Sequence, residues 1–196
     1  MKAVIQEDPG ISDRSEIVVT LIMTKCSIPG LTVDVCSIVC AETPPPSSFI
    51  EDVIIRLQEI RNKFKSWYAR YQVILQNLDM KIGGPNHDSH CKVYANYIAC
   101  LLITSRILAA ISPQDRRECE EVAQNLAHSM LDLEDEMKSS PTALFTAQTS
   151  IAARVTIDTR EAWRVMGDDE DGSYTDTKGL IERRKLEEWA TNLGVR

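Results

Sequence analysis

Three residues in a row of polar positions, His87, His90 and Cys91 within "NHDSHC", carry the side chains that bind zinc most readily, neutral imidazole and thiolate. A structural zinc site needs four such ligands, and no second Cys or His cluster lies at zinc-finger spacing. The segment therefore reads as a solvated turn followed by a helix start, with no metal and no cofactor expected. "DDED" at 168–171 offers oxygen ligands for a hard cation but lacks the alternate spacing and distal glutamate of a calcium loop. It reads as an acidic loop. The sequence holds no Gly-x-Ser-x-Gly elbow, no phosphate-cradling glycine loop and no His-Glu-x-x-His pair. His128 stands off the apolar stripe of its segment and is expected at the surface. Polar groups that fall on apolar faces are better placed. Tyr94 and Tyr97 lie one turn apart; Gln148 and Thr159 are three and four residues from Ile151 and Val155; Arg154 and Asp158 stand at i,i+4 spacing. Each is either a satisfied buried polar group or the wall of a small-molecule pocket between helices.

The elements that position these residues are helical by periodicity. Phe49, Val53, Ile54, Leu57, Ile60, Phe64, Trp67, Tyr68, Tyr71, Ile74, Leu75 and Leu78 recur at steps of one, three and four, which predicts one long helix capped by Ser47 or Ser48. Ser89 opens the next through Tyr94, Tyr97, Leu101, Leu108 and Ile111. Ser112 at the N-cap, Pro113 at the first helical position and Asp115 in the first turn start another, along Cys119, Val122, Leu126, Met130, Leu133 and Met137. Phe145, Ile151, Val155, Trp163 and Met166 mark a further helix, and "GLIERRKLEEWATNLGVR" at 179–196 a closing amphipathic one. Before Pro29-Gly30, "EIVVTLIM" reads as a core segment, helical by preference although a strand over Ile17–Ile22 stays open. Residues 31–42 place Leu31, Val35, Ile38 and Val39 on one helical face, and "TPPPSS" at 43–48 is a rigid connector. Residues 1–14 are expected to form a loose arm. The whole reads as all-α, with about seven helices in one domain over 15–196.

A hydrophobic fraction of 43%, a charged fraction of 26% and a net charge of −7 belong to an ordinary globular protein and exclude unassisted binding to a phosphate backbone. The cationic run Arg61, Lys63 and Lys65 reads as a solvated helix face. No signal peptide is evident, the densest apolar run is too short to span a bilayer, and an intracellular protein without membrane contact is expected. The six cysteines then read as small buried hydrophobes.

"KFKSWYARYQVIL", "ALFTAQTSIAARVTIDTREAWRVM" and the terminal "GLIERRKLEEWATNLGVR" together resemble the final portion of fungal zinc-binuclear-cluster transcription factors, over roughly residues 48–196. The resemblance implies an all-helical regulatory domain, with Thr159 and Trp163 matching a Thr-x-x-x-Trp pattern and Leu186, Trp189 and Leu193-Gly194 the closing helix. The chain departs from that family in lacking the six closely spaced cysteines of the DNA-binding cluster, so no direct nucleic-acid contact is expected. The expectation is a regulatory or ligand-sensing module of fungal secondary metabolism, nuclear and working through a protein partner. The alternative is a cytoplasmic enzyme of a biosynthetic gene cluster, repurposed from such a domain, that cyclises or isomerises a terpene- or polyketide-like substrate. In either case a small apolar ligand or substrate would meet Tyr94, Tyr97, Gln148, Thr159 and Trp163.

A closing amphipathic segment with an indole has reason to be buried, since leaving that side chain in water forgoes roughly 2–3 kcal/mol. Trp189→Ala is expected to lower the melting temperature measurably while Glu187→Ala leaves it in place, as differential scanning calorimetry of the two variants will show.

Overall fold

The computed structural model describes residues 15–138, and the statements below concern those residues. They fold into five helices without a strand: α1 (Ser15–Lys25), α2 (Ile28–Val39), α3 (Ser47–Leu75), α4 (Pro85–Ile111) and α5 (Arg116–Lys138). The all-α reading holds for this part of the chain. The N-terminal arm, the segments expected to be helical beyond residue 140, the acidic loop at 168–171, and Arg154 and Asp158 lie outside the described residues.

Ile17–Ile22 is helix, which closes the strand alternative. Pro29 separates α1 from α2: it has no N–H to give the carbonyl one turn back, and its ring crowds that carbonyl. The two short helices nevertheless run on as one arm, with Cys26 N–H bonded to Ile22 O and Leu31 N–H to Ser27 O. The proline connector leads into α3 through Pro46, whose carbonyl accepts from Phe49 N–H at 2.9 Å. Ser47 and Ser48 are thus inside the helix, and neither caps it. Likewise α4 begins at Pro85 rather than Ser89, because proline's fixed φ suits the first helical position and its missing N–H costs nothing there. Gly83, at φ 77°, makes the reversal between α3 and α4 in a backbone conformation that glycine alone adopts without strain. At the other end of α4, Ser112 closes the helix instead of starting α5. Its hydroxyl donates to Asp115 Oδ2 at 2.7 Å and accepts from Asp115 N–H at 3.4 Å, so the expected Ser/Asp capping pair exists but spans the turn that precedes the helix.

The arms pack antiparallel in sequence, α1–α2 against α3, α3 against α4, and α4 against α5. Contacts at both ends of each pair fix this: Trp67 with Ile17 and Arg56 with Asp34 for α3 and the α1–α2 arm, Arg61 with Ser105 and Tyr71 with His90 for α3 and α4, Arg106 with Glu120 and His87 with Glu136 for α4 and α5. Helix α4 is the centre. Every residue from Cys100 to Ser112 is buried, so this helix is enclosed on all sides and not merely along one stripe. Helix α5 buries Cys119, Ala123, Ala127, Met130, Leu133 and Met137. Alanines take positions next to the expected Val122 and Leu126, which are only half-buried, because they let α5 approach α4 closely. Cys91, Cys100 and Cys119 are buried, Cys36 and Cys40 half-buried, and Cys26 is exposed, a correction to the reading of all six as core residues.

Arg61 is another correction. Lys63 and Lys65 are solvated as expected, but Arg61 turns inward and donates from Nε to Ser105 Oγ at 3.2 Å, with Glu118 at 3.6 Å. Next to Ser105 in the chain stands Arg106, 1% exposed and paired with Glu120, whose other carboxylate oxygen accepts from Gln124. Burial lowers the Arg106 pKa and the Glu120 carboxylate opposes that shift. Such a pair contributes little net stability over an apolar substitute, yet breaking it strands a charge in the interior. Two outcomes follow. Glu120→Ala should cost about 3–5 kcal/mol, whereas the double change of Arg106→Met with Glu120→Leu should lie within a few kcal/mol of the parent on either side. Urea unfolding of the two proteins measures the difference.

Candidate functional site

Helix α3 presents Trp67, Tyr68 and Tyr71, and α4 presents His90, Tyr94 and Tyr97, spaced so that each set recurs on one side of its helix. Because the helices run antiparallel, the two sets meet at one end of the contact between them. Tyr97 stacks on Tyr68 at 4.5 Å between centroids and on Trp67 at 5.6 Å; Tyr94 stacks on Tyr68 at 5.6 Å and His90 at 5.3 Å; Tyr71 stacks on Trp67 at 4.8 Å. Pairs of this kind add about 0.5–1.5 kcal/mol each beyond the area they bury. The polar edges are also satisfied. Trp67 Nε1 donates to Ile17 O at 2.8 Å, which ties the first turn of α1 to α3, and Tyr71 Oη lies 3.1 Å from His90 Nδ1.

Burial sets the chemistry of these groups. It raises the phenols of Tyr71 and Tyr94 above their ordinary range and takes Tyr97 up to about 12, with the neighbouring Tyr68 adding to each shift. All three keep their protons at neutral pH and act as donors rather than bases. His90 moves the other way: burial, then the adjacent His87, lower its pKa, and Glu136 only partly opposes them. Neutral His90 can accept a hydrogen bond from the Tyr71 hydroxyl at Nδ1.

At the end of the stack, Cys91, His87 and Glu136 come together from α4 and α5. His87 Nε2 donates to Glu136 Oε1 at 2.7 Å, and Cys91 Sγ lies 3.8 and 3.9 Å from the two ring nitrogens. The residue types are those of a thiol hydrolase, but the geometry is not. The sulfur is almost equidistant from the two nitrogens, so neither is aimed at it, and the nearer one, Nε2, already faces the carboxylate. Cys91 is also buried, which together with the charges of Glu136 and Asp88 pushes its thiol up to about 11. A protonated, enclosed thiol is not a nucleophile. Among the described residues no group of three or more His, Cys, Asp or Glu side chains is arranged to hold a metal ion.

Open space lies elsewhere. A cleft of about 590 Å³ separates α1 from α4, floored by Val18, Leu21 and Val93 and edged by Lys25, Lys92 and Asn96. Lys25 Nζ donates to Asn96 Oδ1 at 3.0 Å across it. A second cleft, about 490 Å³, lies between α2 and α3 beside the Arg56–Asp34 ion pair at 2.9 Å. Tyr94 and Tyr97, brought together as their spacing implied, line neither cleft; their faces are occupied by other rings. Gln148, Thr159 and Trp163 lie outside the described residues. The sequence reading missed Lys25, Lys92 and Asn96, although one signal was available: the apolar residues of "EIVVTLIM" spread over more than one side of the helix, which a helix packed on one face alone does not need.

The sequence matches no family model and no curated protein, and the fold matches no solved structure.

His90 yields a pH dependence of defined sign. Its folded pKa lies below the unfolded one, so the unfolded chain binds the extra proton first. Stability from this residue is complete above the unfolded pKa of about 6.5 and declines as pH falls below it. The melting temperature should therefore drop more steeply between pH 7 and 5 in the parent than in His90→Gln, which keeps an acceptor for Tyr71 but does not titrate. Parallel slopes in thermal melts would remove His90 from the account.

Proposed function

We propose that this chain is a ligand-sensing regulatory module of fungal secondary metabolism that works through a protein partner and without a DNA-binding cluster of its own. The observation that carries the ligand-sensing part is the cleft between α1 and α4. Its walls are apolar and it is open to solvent, while two ammonium groups and a carboxamide stand at its edge. That combination fits an apolar small molecule bearing a carboxylate: the body displaces water from Val18, Leu21 and Val93, and the acid group meets Lys25 and Lys92. The regulatory assignment draws on the resemblance at residues 48–196 and on a net charge of −7, which suits a protein partner better than nucleic acid.

The enzyme alternative leans on Tyr94 and Tyr97 as pocket walls. In the described fold those rings face Tyr68, Trp67 and each other, and the nearest thiol is enclosed and protonated. The regulatory reading asks for no activated group and is the one the geometry favours. Under it the protein acts in the nucleus; the enzyme would act in the cytoplasm.

Isothermal titration calorimetry with dodecanoate and its methyl ester tests the cleft. The acid should bind more tightly than the ester by about tenfold, the effect of roughly 1.4 kcal/mol from a charge-assisted contact at a half-exposed site. Lys92→Glu should erase that preference, and Val93→Trp, which fills the cleft, should abolish binding of both. Equal affinities in the parent, or binding untouched by Val93→Trp, would remove the basis of the proposal.

A further inference from the structure

The cleft between α2 and α3 shares no lining residue with the one between α1 and α4, and its chemistry differs. The floor is apolar, formed by the edges of buried Leu31 and Ile60, and Val33, 49% exposed, extends it toward solvent. The rim is charged. Because the α1–α2 arm runs antiparallel to α3, Ser27 falls at the Lys63 end and Asp34 at the Arg56 end, with Glu59 between them. Arg56 is already neutralised: Asp34 lies 2.9 Å from its Nη1 and Asp52 2.8 Å from its Nε. Glu59 and Lys63 are not. They stand at i,i+4 in the order that lets a glutamate and a lysine pair along a helix, yet among the described residues neither has a partner, in the other or elsewhere. Ser27 likewise precedes α2 without capping it, which leaves its hydroxyl uncommitted. Gly30 forms part of the wall, and a Cβ added there would meet nothing within 4 Å. Packing among the described residues therefore does not ask for a glycine at a helical position, where it is a poor former; its missing side chain keeps the cleft open.

We propose that this cleft binds an apolar dipeptide with both termini free. Its carboxylate meets Lys63 and the Ser27 hydroxyl, its ammonium meets Glu59, and its two side chains cover Leu31, Ile60 and Val33. The spacing selects the length. Glu59 and Lys63 are ~6 Å apart along the helix axis, and two extended residues span up to ~7 Å, so both termini reach a charge at once. A single amino acid carries both charges on one carbon and does not bridge that gap. A fatty acid, the kind of ligand that suits the other cleft, satisfies Lys63 but lays its hydrocarbon against the Glu59 carboxylate. The volume of about 490 Å³ lies in the ordinary range for small-ligand sites and accommodates two aliphatic residues. The site stands on its own lining, and holds whether or not the cleft between α1 and α4 binds a ligand.

Isothermal titration calorimetry of the full chain with leucyl-leucine, its N-acetyl derivative and its C-terminal amide reads the two ends separately. The free dipeptide should bind tightest, and each blocked form about tenfold more weakly, the loss of one charge-assisted contact. Glu59 and Lys63 are exposed, so their substitution keeps the fold. Glu59→Lys and Lys63→Glu should each weaken binding by about tenfold, whereas the double swap should recover most of the affinity, because the dipeptide then lies end for end. Gly30→Leu, which fills the cleft, should abolish binding while thermal melts followed by circular dichroism stay at or above the parent temperature. Val93→Trp, in the other cleft, should leave the affinity unchanged. No binding of leucyl-leucine, equal affinity for the blocked forms, a double swap no better than the single changes, or binding lost in Val93→Trp would each overturn the proposal.

Discussion

The enclosure of α4 is the constraint from which the rest of the fold follows. From Cys100 to Ser112 no side of this helix reaches water, and among the described residues α5, α3 and the α1–α2 arm all pack against α4. The apolar residues there gain from burial, but Thr104, Ser105 and Arg106 must each find a partner inside. Thr104 turns its hydroxyl back to Cys100 O, Ser105 accepts from Arg61, and Arg106 takes the carboxylate of Glu120. These polar contacts join α4 to itself, to α3 and to α5 in turn. They fix the relative positions of the helices more narrowly than apolar burial does, since a hydrophobic contact tolerates sliding and a paired buried charge does not.

With α4 held, the aromatic stack decides where α1 sits. Tyr97 and Trp67 lock α3 against α4, and the indole N–H of Trp67 captures the carbonyl of Ile17. Helix α1 is therefore anchored at its first turn. Farther along, the hydrogen bond from Lys25 to Asn96 bridges to α4, and beside it the helices part enough to leave the cleft. Rigid chemistry at one end and an open apolar space at the other are the same arrangement seen from two sides. The stacked phenols keep their protons because they are buried; the cleft is accessible because the stack stops short of it.

The sequence made the helical class and the register of α3 legible, because apolar residues at steps of three and four leave few alternatives over more than twenty residues; in α5 it found Cys119, Met130, Leu133 and Met137 but not the buried Ala123 and Ala127. It also disclosed the proximity of Tyr94 and Tyr97, one turn apart, and the surface position of His128. Helix starts were less legible. Ser47, Ser89 and Ser112 all carry the side chain of an N-cap, yet Pro46, Pro85 and the Ser112–Asp115 turn set the boundaries, because proline's fixed φ and a three-residue turn satisfy the free N–H groups differently. Arg61 could not be told from Lys63 and Lys65 by composition; what draws it inward is Ser105, forty-four residues away in the chain.

What the sequence alone determined is whatever depends on neighbours in the chain: helix periodicity, the breaks at Pro29 and at the proline connector, and the lack of any local catalytic signature. Only the tertiary structure decided matters that depend on which faces meet. It showed that Cys91, His87 and Glu136 converge without the alignment for proton transfer, that the two tyrosines stack instead of lining a cavity, and that α1 carries a second apolar face. A helical period states that a face is apolar, but the partner for that face lies elsewhere in the chain, and only the packing of the helices identifies which faces are covered and which stay open.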